Sequence, residues 1–108
     1  MGIKKIEKSA WGAYFDAFSR QFRGTRRTDY AEIRVFSKEL GAHKETSWLP
    51  LVGITYDRKD DLLEVAVENM DHLIYHPDQI YVDEAGVGVI KSLQIIRKDG
   101  TREVIELR

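Results

Sequence analysis

Large aromatic side chains recur at Trp11, Tyr14, Phe15, Phe18 and Phe22, at offsets 0, 3, 4, 7 and 11, which places them on one stripe of an α-helix. The pattern predicts a helix over about 9–23, with the Ser9 hydroxyl as N-cap and Gly24 as a left-handed terminator. A helix of that length is marginal in water by itself, so the stripe requires an apolar surface to dock on.

Beyond Gly24 the period drops from helical to two. Val52, Ile54 and Tyr56 share one face before the polar stretch Asp57 to Asp61, and Leu63, Val65 and Val67 share one after it, which reads as a β-hairpin. Similar short runs predict strands near 30–36, 42–48, 51–57, 62–68, 72–76, 78–83, 89–98 and 102–107. Asp99-Gly100 predicts a type I′ hairpin turn, and Ala85 to Gly88 predicts another turn. Pro77 removes a backbone donor and is expected to bend or break the chain between the 72–76 and 78–83 strands. One amphipathic helix covers only one side of a sheet, and strands this short and numerous curl. The predicted fold is therefore α+β, an N-terminal amphipathic helix packed on a strongly curved antiparallel β-sheet or small half-open barrel, with residues 1–108 as a single domain.

Composition narrows the possibilities. With 43% hydrophobic residues in 108, there is apolar material for one core. No run approaches the roughly 18 apolar residues that cross a bilayer, and the N-terminus lacks an apolar signal core, so a cytoplasmic protein with no membrane attachment is expected. The absence of cysteine excludes disulfides, thiol nucleophiles and thiolate metal sites. The net charge of -1 conceals an asymmetry: residues 1–27 carry seven basic and two acidic side chains, the remainder ten and sixteen. A basic end on an acidic remainder points to an anion-binding region at the helix end or to electrostatic self-complementarity, and the acidic remainder makes nucleic acid an unlikely partner.

Trp11, Phe15-Asp16-Ala17-Phe18-Ser19-Arg20-Gln21, Gly41-Ala42, the run Leu51 to Asp61, Leu63 to Ala66, His72-Leu73-Ile74, His76-Pro77 and the Asp99-Gly100 ending occur in that order. Together they resemble a family of small uncharacterised prokaryotic proteins, domain of unknown function 5335. The resemblance implies one self-contained domain and supplies no activity, substrate or catalytic residue.

Histidines and carboxylates gather only around Asp71 to Asp78. His72 and His76 have the spacing of a helical metal pair, but Pro77 and the intervening Leu73-Ile74-Tyr75 favour a strand, on which the rings stand about 13 Å apart. Zinc would need further ligands, His43 among them, and neither a metal nor a cofactor is expected. Asp57, Asp60 and Asp61 read as turn residues, and no serine elbow or phosphate-binding glycine loop is present, so no catalytic residue is assigned. Two kinds of site are expected instead. One is an interaction surface formed by Arg20, Arg23, Arg26, Arg27 and Tyr30, with Trp48 either anchoring a partner or capping the open end of the barrel. It would serve a homodimer or another protein. The other is a pocket in the curved sheet involving His72, His76 and Tyr81.

Overall fold

A computed structural model describes residues 2–24, 29–39, 41–86 and 88–108. Strand β1 (Gly2–Ile6) leads through one 3₁₀ turn (Lys8–Ala10) into helix α1 (Trp11–Gly24). Seven strands follow: β2 (Tyr30–Ser37), β3 (Gly41–Asp57), β4 (Leu62–Val67), β5 (Met70–Tyr75), β6 (Pro77–Gly86), β7 (Val89–Arg97) and β8 (Arg102–Leu107). They form one antiparallel sheet in the order β1-β6-β7-β8-β2-β3-β4-β5, not closed into a barrel. This is the α+β arrangement that the patterning predicts.

The long strand β3 determines the curvature. Its first part, Gly41 to Pro50, pairs with β2, and its second, Leu51 to Asp57, pairs with β4. The two strands expected at 42–48 and 51–57 are thus one strand, because Pro50 sits where the chain changes partners and its fixed φ suits extended backbone. Once β2 is left behind, one edge of β3 lacks a neighbouring strand, and α1 packs there. The Ser19 hydroxyl donates to Ile54 O at 2.6 Å and accepts from Ile54 N–H at 2.9 Å, satisfying both backbone groups.

The helix stripe performs as its spacing requires. Trp11, Phe15, Phe18 and Phe22 are buried, and Trp11 Nε1 donates to Ile6 O at 2.8 Å while its ring meets Tyr56 edge-on, centroids 5.1 Å apart. They cover a concave face on which Ile33, Ile54, Leu63, Ile74, Ile80, Leu93, Ile95 and Ile105 are fully buried. Each such side chain contributes about 1.5–3 kcal/mol of transfer free energy.

Several local expectations are corrected. Ser9 lies inside the 3₁₀ turn and caps nothing; the residue before that turn is Glu7, with no side-chain cap. The Asp99-Gly100 turn is not type I′, since only Gly100 takes a positive φ, 89°. Gly100 N–H bonds back to Arg97 O at 2.9 Å and Arg97 N–H reaches Thr101 O at 2.8 Å, a turn closed by a left-handed glycine. Strand β1 escapes prediction because only Ile6 of its five residues is buried. Pro77 opens β6, and the corner is made by His76, φ 54°.

Candidate functional site

The concave face changes character along its length. One inward row across β2, β8, β7 and β6 reads Ile33, Ile105, Leu93 and Val82, all apolar. The next row, one step toward the hairpin ends, reads His43, Val35, Glu103, Ile95 and Ile80. Glu103 therefore occupies an inward position, in phase with Ile105 and Leu107, and is only 1% exposed. A carboxylate there needs partners, because desolvating an unpaired charge costs several kcal/mol.

The partners come from two directions. His72, on the inward face of β5 across the fold, places Nε2 2.5 Å from Glu103 Oε1. Arg97, at the end of β7, places Nη1 3.4 Å from Oε2 and is itself steadied by Asp99 Oδ2, 3.1 Å from Nη2. A carboxylate oxygen accepts, so the Nε2–H of His72 donates to Glu103 Oε1. A neutral imidazole then carries its lone pair on Nδ1, which has no hydrogen-bond partner among the described residues. Arg97 Nε is a buried donor likewise without a partner among them.

Around these groups lies a cleft of about 360 Å³, lined by the triad and also by His43, Glu45 and Thr101. That is within the size range of small-molecule sites. His43 Nε2 lies 3.3 Å from Glu45 Oε2 at the rim. Among the described residues, no group of three or more histidines and carboxylates is arranged to hold a metal ion.

The three residues expected to share a pocket do not converge. His72 alone lines the cleft. His76 belongs to a second cluster centred on Asp61, and Tyr81 lies on the opposite face of the sheet, its hydroxyl donating to Gln79 Oε1 at 2.7 Å. The two histidines separate because β5 ends at Tyr75 and His76 turns the corner with a left-handed backbone.

The Asp61 cluster holds three turns together. Tyr56 O–H donates to Asp61 Oδ1 at 2.6 Å, with Lys8 Nζ 3.6 Å from the same oxygen. His76 Nδ1 and Lys98 Nζ lie 3.4 and 3.5 Å from Oδ2. Backbone bonds join His76 N–H to Asp61 O and Lys98 N–H to His76 O. Burial acts to raise the Asp61 pKa, but the Tyr56 and His76 hydrogen bonds and the two lysines hold it below the usual carboxylate range. Burial, then the bond and charge of Asp61, push Tyr56 up to about 12.

Of the expected interaction residues, Arg20 and Arg23 are exposed on α1 and Tyr30 is 43% exposed. Trp48 is half-buried, with the Arg108 guanidinium 3.7 Å from its ring centroid. Arg26 and Arg27 lie outside the described residues. Sequence reasoning missed Glu103 and Arg97, although a glutamate in the apolar phase of β8 is a legible signal.

Among the described residues, no helix is long and apolar enough to cross a membrane. No solved structure matches the chain. An uncharacterized protein of Aquifex aeolicus (strain VF5) is 38% identical over 109 residues, spanning 100% of this chain and 94% of its own. The profile of the family of unknown function DUF5335 matches residues 2–108, and the chain belongs to that family.

Proposed function

We propose that the protein binds a small polar molecule in the cleft floored by His72, Arg97 and Glu103. The observation that carries this reading is a carboxylate, 1% exposed, held by His72 and Arg97 where the core face turns from apolar to polar. Hydrocarbon of similar volume could fill these three positions at little cost, so stability alone does not call for the triad, and buried titratable groups lining a cleft are typical of binding and acid–base sites. Glu103 orients the imidazole so that Nδ1 accepts a hydrogen bond or a proton from an O–H or N–H group of the ligand. No covalent step is assigned.

The test is a titration of the isotope-labelled protein with small hydroxy acids, amino acids and amides, followed by NMR. Chemical-shift changes converging on His72, Arg97, Thr101 and Glu103, and lost in a folded His72→Gln variant, are the expected result. Changes scattered elsewhere, or unaltered in that variant, contradict the reading.

Self-association is a second reading, supported by β5. This strand ends the sheet order and carries Leu73 and Tyr75, 39% and 50% exposed. Sedimentation should then reveal a dimer that Leu73→Lys abolishes, and a monomer at every concentration contradicts it.

A further inference from the structure

The cleft occupies one face of the sheet, and the other face of the same strands presents different chemistry. Strand alternation turns Val35 and Glu103 inward, and so turns Arg34, Phe36, Arg102 and Val104 outward. Register then gives two outward rows. The first reads Ala42, Phe36, Arg102, Ile96 and Gln79 from β3 to β6, and the second reads Lys44, Arg34, Val104, Gln94 and Tyr81. Arg34, Lys44 and Arg102 are exposed, Phe36 and Tyr81 are half-buried, and α1 packs on the opposite side.

Phe36 stands between two shallow grooves, of about 380 and 250 Å³. Lys38 and Arg102 flank the first, and Arg34 and Lys44 the second. The Arg102 guanidinium lies over the Phe36 ring, 4.9 Å from its centroid. Glu32 neutralises part of this charge, with Arg34 Nη2 at 2.5 Å and Lys44 Nζ at 3.8 Å, yet one carboxylate serves two cations. Several acidic residues of the chain's remainder are placed elsewhere. Glu103 points into the core, Asp57, Asp60 and Asp61 belong to the β3–β4 turn, and Glu64 and Asp71 lie on β4 and β5. The next outward row of these strands reads Glu32, Glu106, Ser92 and Asp83, so the basic character of this face belongs to the two rows nearer the β2–β3 and β7–β8 turns.

We propose that this outward face of β3, β2, β8, β7 and β6 binds single-stranded nucleic acid. The cations meet the phosphates, and Phe36 offers its ring to a base, the combination by which open sheets hold single strands. From Lys44 to Tyr81 the row crosses five strands, about 19 Å at the usual strand spacing, long enough for several nucleotides. Duplex is disfavoured because its bases are already stacked and paired, leaving no free base face for the half-buried Phe36 ring.

Fluorescence anisotropy with labelled single-stranded DNA and RNA of about 12 nucleotides, within the usual range of site sizes, tests this directly. The expected result is binding that weakens steeply between about 50 and 200 mM salt. Phe36→Leu should weaken it by roughly 5- to 100-fold, the value of one stacked base, and Lys38→Glu with Arg102→Glu should abolish the salt-dependent part. Circular dichroism checks that each variant is folded. A tighter RNA than DNA complex identifies RNA as the ligand, and the reverse identifies DNA. No binding by folded protein at low salt overturns the proposal. So do equal affinities for single strands, duplex and polyphosphate, and so does binding that survives these variants but is lost in Arg20→Glu with Arg23→Glu.

Discussion

Ser19 and Ile54 exchange two hydrogen bonds through a single side chain, the serine hydroxyl donating to the isoleucine carbonyl and accepting from its N–H. Through this pair, α1 takes the place of a ninth strand along the edge of β3 that β2 leaves uncovered. Ser19 is 3% exposed and Ile54 is fully buried, so water is not available to replace the hydroxyl. Ser19→Ala should therefore leave a buried donor and acceptor unsatisfied and lower stability by about 2–4 kcal/mol. Urea denaturation measures this, and a change below about 0.5 kcal/mol would mean that the helix does not close this edge.

Phe15 is fully buried beneath the same helix. Phe15→Ala should cost about 3–5 kcal/mol, the range for a large aromatic removed from a packed core. An equally destabilising Tyr30→Ala, at a position 43% exposed, would contradict the assignment of the core to the helix side of the sheet.

The aromatic stripe and the alternating runs were readable because burial on one face of a helix or strand enforces a period. Where that enforcement is weak, the sequence is silent. Strand β1 buries only Ile6, and its other four residues show no alternation, so nothing marks it as a strand. The continuity of β3 was hidden by Pro50, which usually ends strands but here occupies the place where pairing partners change. The cleft was half legible. His72 stands out as a titratable residue, and Glu103 breaks the apolar phase of β8, but their meeting depends on how β5 folds across β8. No local pattern encodes that crossing. His76, four residues from His72, was separated from it by a single left-handed backbone angle.

The Asp61 cluster makes stability pH-dependent at both ends of the scale. Tyr56 has a folded pKa raised to about 12, so its stabilising contribution is complete below pH 10 and is lost as pH rises from 10 through 12. Tyr56→Phe should flatten the stability profile over that interval. Asp61, with a depressed folded pKa, contributes stability present above its unfolded value and lost as pH falls through the folded one. Asp61→Asn should remove that acid limb. Glu64, raised by burial and by Asp71, acts in the opposite direction and blunts the acid loss, so Glu64→Gln should steepen it. Melting temperature measured across pH for the three variants checks these signs.

Removing one member of the buried triad should differ sharply from removing all three. Glu103→Ala leaves His72 and Arg97 without their acceptor and should cost about 3–5 kcal/mol. The triple variant His72→Leu, Arg97→Met, Glu103→Leu should recover most of that loss, because hydrocarbon of similar volume fills such positions well. The same triple variant should bind no ligand in the cleft. Retained binding would place the site elsewhere.

The most direct measurement is the ring-nitrogen NMR spectrum of His72 in the labelled protein, taken free and with a bound small molecule from the cleft titration. A proton on Nε2, an unprotonated Nδ1 in the free protein, and a shift of Nδ1 alone on binding are predicted, with the Nε2 preference lost in Glu103→Gln. A proton on Nδ1 in the free protein, or a ring that does not respond to any bound molecule, would contradict a cleft in which Glu103 orients His72 toward a ligand.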